Sequence, residues 1–152
     1  MKMSVKEITE ENWIDAIKLK VKKEQEGFVA SNAISLAQSK FHPFLECYGI
    51  FADEKMIGFS ALGINPEDNK LWIARHMIDE NSQGQGYGKK GLKAVIEFMN
   101  EKFKPKEILL DVEENNEIAT KLYVKAGFKP TGEKHGNSPI YKLDMSNYSA
   151  DY

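Results

Sequence analysis

The sequence predicts a mixed α/β fold: one mostly antiparallel sheet of about seven strands with helices on both faces. Three observations carry this. Segments that read as strands stand at residues 5–8, 47–52, 56–64, 71–78, 107–112, 128–132 and 140–145. Segments with apolar residues at helical spacing interrupt them, in the order β-α-α-β-β-β-α-β-α-β-β. Near the middle of the chain, Gln83-Gly84-Gln85-Gly86-Tyr87-Gly88 joins a strand directly to a helix, placing a strand–turn–helix–strand unit inside an otherwise antiparallel meander.

Each element has its own signal. Thr9 is a candidate cap for the first helix, because its hydroxyl can accept an orphan backbone N–H; Trp13, Ile14, Ile17 and Val21 then recur at helical spacing. Gly27 interrupts, and Ser31 is a candidate cap for a second helix carrying Ile34, Leu36 and Ala37. Asp53, Glu54 and Lys55 form a polar break short enough for a hairpin, and residues 65–69 are rich in turn formers. After the glycine turn, Leu92, Val95, Ile96, Met99 and Phe103 mark a long helix that Pro105 ends. Residues 116–126 read as a helix closed by Gly127 in a left-handed cap. The last two strands enclose a polar turn at residues 134–138.

A chain of 152 residues suits one domain, taken as residues 1–152, and is long enough to bury a core without staples. A formal net charge of -2, with both signs interspersed, gives no basic field for nucleic acid. Cys47 is the one cysteine, so it has no partner for an internal disulfide and makes no metal site alone. No apolar run approaches membrane-spanning length, and residues 1–9 lack a signal-peptide core. The expectation is a soluble, cytoplasmic protein with no bound metal and no nucleic-acid or membrane partner. Its partner would be a small molecule, and a homodimer is a possible assembly.

Glycines in a turn let the backbone adopt unusual dihedrals and approach a ligand closely. The free N–H groups of the helix start then converge on an anion, aided by the helix dipole. A diphosphate suits such a pocket, and Lys89 and Lys90 follow at once. A Walker loop is excluded because Gly88 is followed by Lys-Lys, and a dinucleotide fold because the turn comes after four strands. By itself the turn is equally well a tight connection.

A second motif lies downstream: Asn116-x-x-Ala119-x-x-Leu122-Tyr123-x-x-x-Gly127-Phe128. Ala119, Leu122 and Ala126 can form the packing face of its helix with Tyr123 beside them; Tyr123 can equally be a core residue. Together the two motifs resemble those of the GCN5-related N-acetyltransferase (GNAT) superfamily, whose pyrophosphate loop has the pattern Arg/Gln-x-x-Gly-x-Gly/Ala. The match is strongest over residues 71–128. More narrowly, residues 71–88, Gln25 with Phe28, and Glu114-Asn115-Asn116 are similar to bacterial spermine/spermidine acetyltransferases.

The resemblance implies acetyl-CoA as cosubstrate and a splay between the two central strands. Its diphosphate would sit on Gln83, Gly84, Gln85, Gly86, Tyr87, Gly88 and Lys89; Met77 and Ile78 would offer backbone groups to the pantetheine arm, with Asn116 on the other side. Direct attack by an amine needs the neutral form, about one molecule in a thousand at pH 7 for an alkyl amine. A backbone N–H near Met77 could stabilise the oxyanion formed. Tyr123 occupies the family's position for the acid that protonates the leaving thiolate. Many polyamine-acetylating relatives carry a carboxylate where this chain has Ala74. Strict alternation would place His76 on the same face as Ala74, making it one candidate base; Glu113, ending the strand across the splay, is another.

Polycationic acceptors need carboxylates to replace their hydration. Glu24, Gln25 and Glu26 are candidates for one wall, and Phe28 could cover the methylene chain. The two glutamates could equally form a solvated face beside Lys22 and Lys23. Three functions fit: a polyamine acetyltransferase; an acetyltransferase for another amine, such as an antibiotic, an amino acid or a protein N-terminus; and a non-catalytic acyl-CoA-binding module.

Overall fold

The computed structural model describes residues 1–151. Seven strands form one continuous sheet: β1 (Met3–Glu7), β2 (Glu46–Ala52), β3 (Lys55–Asn65), β4 (Lys70–Ile78), β5 (Glu107–Asp111), β6 (Lys129–His135) and β7 (Ser138–Asp144). Their spatial order is β1-β2-β3-β4-β5-β7-β6, and only the β4–β5 pair is parallel. Four helices pack around the sheet: α1 (Trp13–Lys18), α2 (Asn32–Phe41), α3 (Tyr87–Phe103) and α4 (Glu117–Ala126).

Both faces are covered. On one, Leu92, Val95, Ile96 and Met99 of α3 and Tyr123 and Ala126 of α4 close over Ile50, Leu62, Ile73, Ile108 and Leu110. On the other, Ala16 of α1 joins Cys47, Phe51, Phe59 and Met77, with Leu36 of α2 against them. The helix that follows the glycine turn therefore behaves as its apolar periodicity predicts.

The first two helices depart from the sequence reading. Asn12, not Thr9, occupies the position before α1, and the helix ends at Lys18, leaving Val21 outside. Beyond it, Asp79 accepts a bond from Lys20 N (3.0 Å), and Glu80 N donates to Lys20 O (2.7 Å), so the chain is drawn to the start of the glycine turn instead of continuing as helix. Trp13, Ile14 and Ile17 are exposed, as is Ile34 of α2; Ala16 is the residue of α1 that is buried. In α2 the buried residues are Asn32 and Ser35. Asn32 Nδ2 donates to Ala16 O (2.9 Å) and lies 3.7 Å from Met77 Sδ, so a buried amide joins α1, α2 and β4. Ser31 does cap α2, its hydroxyl accepting from Ile34 N at 3.2 Å.

Two features of β4 make the site. First, Leu62 pairs with Ile73 and Ala61 with Arg75, so Ala74 is an extra residue in a β-bulge. Leu71 and Ile73 join the α3–α4 side of the core, yet past the bulge it is Ile78 that stays there while Met77 joins the opposite core. The strict alternation assumed for His76 is thus broken at Ala74, because one inserted residue turns every later side chain to the other face. Second, β4 and β5 are in register only at Leu71↔Ile108 and Trp72↔Leu109. Beyond these two pairs the strands part. β5 is held on its far edge by β7 from Glu107 to Asp111, so the sheet opens at its centre without losing its second half.

Candidate active site

The opening between β4 and β5 is a cavity of about 640 Å³. Its walls are residues 73–78 of β4, the β5 end from Leu110 to Glu113, Asn116 at the start of α4 and Tyr123 within it, and residues 25–30 before α2. Gln83, Gly84 and Gly88 close the end nearest α3.

At that end, Gly84 and Gly86 have φ of +78° and +82°, a region in which side chains with a Cβ are strained. A Cβ at either would meet nothing within 4 Å, so the space over the turn is open. Gly86 is the residue before α3, whose first N–H groups have no helical acceptor. Left-handed glycines and open space at the N-terminal, dipole-positive end of a 17-residue helix fit a diphosphate. The side chain of Gln83 does other work. Its Nε2 donates to Ile78 O (3.0 Å) and to Gln25 Oε1 (2.9 Å), and Gln25 Nε2 donates back at 3.2 Å. This reciprocal pair fastens the wall at Gln25–Phe28 to the glycine turn, and it engages the Ile78 carbonyl that the sequence reading left to a ligand. Gln85 bonds to Asn81 O, Tyr87 packs on the core, and neither lines the cavity; nor does Lys89.

Tyr123 is 8% exposed, lines the cavity, and packs edge-on against Phe128 at 5.7 Å. Burial, reinforced by the charge of Asp111, pushes its phenol up to about 12, so it remains protonated at neutral pH. Asn116 is the N-cap of α4; its Oδ1 accepts from Ala119 N at 3.4 Å, aligning the helix that carries Tyr123. Ala126 and Tyr123 are the buried residues of α4, so the tyrosine is on the packing face, not beside it.

The other predicted residues separate. His76 lines the cavity, but both ring nitrogens are covered and without hydrogen-bond partners among the described residues. Burial lowers it to about 4, so it is neutral at pH 7 and a weak base for an ammonium group. Glu113 is exposed at the cavity edge, its carbonyl accepting from Asn116 N at 3.0 Å. Gln25, Glu26 and Phe28 form the predicted wall; Glu24 is exposed and not part of it. Sequence reading missed Arg75 and Asp111. Arg75 lines the cavity and is fixed by bonds to Ala74 O (2.9 Å) and Gln38 Oε1 (3.3 Å). Asp111 ends β5 on the cavity wall, where a charge directly after the apolar residues Ile108, Leu109 and Leu110 was the available signal.

A sheet split at its centre, a left-handed glycine turn beside the split, and a buried protonated tyrosine on the same cavity define an acetyl-CoA-dependent N-acetyltransferase. The model of the Acetyltransferase (GNAT) family matches residues 5–128, and the chain belongs to that family. It is 35% identical over 139 residues to the spermine/spermidine N(1)-acetyltransferase of Bacillus subtilis (strain 168), covering 88% of this chain and 91% of the relative. Among solved structures, the spermidine N-acetyltransferase of Vibrio cholerae in complex with CoA and spermine superposes with a TM-score of 0.74 at 15% identity, over 96% of this chain and 97% of the other. An aminoglycoside acetyltransferase in complex with ribostamycin and coenzyme A superposes with a TM-score of 0.78 at 14% identity, over 100% of both chains. At such identities these likenesses speak for the fold. Among the described residues, no helix is long and apolar enough to cross a membrane.

Proposed function

We propose that the chain acetylates a primary amine of a polyamine, spermine or spermidine, by direct attack in a ternary complex with acetyl-CoA. The observation that carries the reading is one cavity lined together by Gly84 and Gly88 of the glycine turn, by Tyr123, and by Glu26, Phe28, Asp111 and Glu113. The relative at 35% identity supports the choice of acceptor. Gly84, Gly86 and the start of α3 would hold the diphosphate, with Met77, Ile78 and Asn116 along the arm. The bound cosubstrate supplies an activated acetyl group on a thioester. Tyr123 gives its proton to the departing sulfur. Glu26 and Glu113 replace water around the acceptor's ammonium groups, and Phe28 covers methylenes. The carboxylates act as charge partners, which costs less desolvation at a half-open wall than in a closed core.

Arg75 favours a second reading, an amine that also bears a carboxylate, because a guanidinium on the wall would pair with it. The experiment is a panel of spermine, spermidine, putrescine, lysine and kanamycin with acetyl-CoA, read by free thiol and mass spectrometry. Acetylation of spermine or spermidine supports the first reading. Acetylation of lysine alone moves the assignment to the second, and thiol release with none of the five removes both. The exposed Trp13, Ile14 and Ile17 favour self-association; sedimentation velocity would measure it. The buried free thiol of Cys47 suits a reducing, cytoplasmic setting.

A further inference from the structure

Direct attack leaves protons to be moved. An ammonium group has three N–H bonds and the amide product has one. Two protons therefore leave the nitrogen, one is matched by the proton Tyr123 gives to sulfur, and one must reach solvent. His76 is poorly placed to accept it, with both nitrogens covered, and Glu113 stands at the exposed edge.

Asp111 stands where these requirements meet. It ends β5 at the splay, lines the cavity, and keeps 28% of its side chain exposed. It shares the cavity lining with Tyr123, whose phenol its charge helps to keep protonated. Its Oδ2 lies 3.2 Å from His135 Nδ1 on β6, and the His135 side chain is 78% exposed. The pair thus runs from the cavity wall to bulk water. Ser138, paired with His135 across the last hairpin, also lines the cavity, so this edge belongs to the site. The other titratable or charged groups on the cavity are Arg75, His76, Glu26 and Glu113; nearby Lys134 is engaged by Glu114 at 3.4 Å.

We propose that Asp111 receives the proton of the acceptor amine and that His135 passes it to solvent. This rests on the acetyltransfer reading above. Asp111 first pairs with the ammonium. One N–H bond breaks toward Asp111 as the nitrogen lone pair is freed for the acetyl carbon; that proton moves to His135 and then to water. Once the C–N bond forms, the nitrogen is far more acidic and loses its second proton to solvent. As the C–S bond breaks, sulfur takes the Tyr123 proton, and the phenolate is reprotonated from solvent. One proton is released per turnover. The order assists the acid: a proton on Asp111 removes the neighbouring negative charge that holds the Tyr123 proton more tightly, just before that proton is needed.

The test is Asp111→Asn, which keeps the side chain's shape but replaces one accepting oxygen by a donating NH2 and removes the base, assayed with spermine beside wild type. The expected result is a kcat lower by about 10²-fold or more at pH 7, the scale of general base catalysis. The KM for acetyl-CoA should be unchanged, and the deficit should narrow as pH rises and the free amine becomes abundant. Near-ultraviolet circular dichroism and calorimetry with coenzyme A establish that the variant is folded. In His135→Ala, kcat should fall and added imidazole should restore it. If Asp111→Asn keeps wild-type kcat, or raises only the spermine KM, the base assignment is overturned. If His135→Ala keeps wild-type kcat, the relay is overturned. If the wild type acetylates no amine at all, the underlying function fails instead, which separates the two failures.

Discussion

Replacing Tyr123 by Phe removes one oxygen from the cavity wall and leaves the ring that packs at 5.7 Å against Phe128. Truncation to Ala would cost the fold roughly 3–5 kcal/mol, whereas Phe keeps nearly all of the buried contact. Stability at pH 7 should therefore change little. Turnover should not. With the phenol at about 12, roughly one hydroxyl in 10⁴ is ionised at pH 8, so wild type holds its acid ready across the working range. Losing that acid should lower kcat by about 10²-fold or more, about 2.7 kcal/mol of barrier, with the Kd for coenzyme A unchanged. A second readout belongs to the same group. Its folded value is raised from 10.0 to about 12, so the stability it contributes is present below pH 10 and is lost as pH rises through 12. That is about 3 kcal/mol which wild type loses and Tyr123→Phe does not. Steady-state kinetics at pH 8 and urea melts at pH 8, 10 and 11.5 measure both effects. A folded Tyr123→Phe enzyme with full turnover would return Tyr123 to a packing role.

Three further perturbations test the rest of the site. Gly86→Asp places a side chain at φ +82° and a negative charge at the start of α3, so calorimetry should find coenzyme A binding abolished in a protein that still melts cooperatively; retained binding would remove the turn from the diphosphate site. Glu26→Gln should raise the spermine KM several-fold, more at low salt, while Glu24→Gln should leave it alone, because only Glu26 is on the wall; equal effects would mean long-range attraction rather than contact. His76 is lowered by burial from 6.5 to about 4, so its contribution to stability is present above pH 6.5 and is lost as pH falls through 4; His76→Phe should flatten that acid limb in melts between pH 7 and 4, and an unchanged limb would contradict a buried neutral imidazole.

The amino-acid sequence by itself determined the elements whose signals are local. Strand-type runs bounded by turn formers marked the strands, the spacing of Leu92, Val95, Ile96 and Met99 marked α3, and Gly84, Gly86 and Gly127 stood where positive φ is required. The family and its cosubstrate were readable for the same reason: the two motifs that carry the resemblance, residues 83–88 and 116–128, are each built from residues close in the chain. The tertiary structure alone decided what depends on residues distant in the chain. The bulge at Ala74 turns the end of β4 over, a change that no alternation rule registers because its cause is pairing with β3. Trp13, Ile14 and Ile17 are exposed because α1 packs on the sheet through Ala16, and Lys20 is held by Asp79 and Glu80; a helical pattern foresees neither. Glu24 and Glu26 look alike in sequence, yet only Glu26 is on the wall, since the Gln25–Gln83 pair sets the orientation of the segment across 58 residues. Asp111 and His135 are 24 residues apart and meet only because β7 lies between their strands, so the sheet order created that pair.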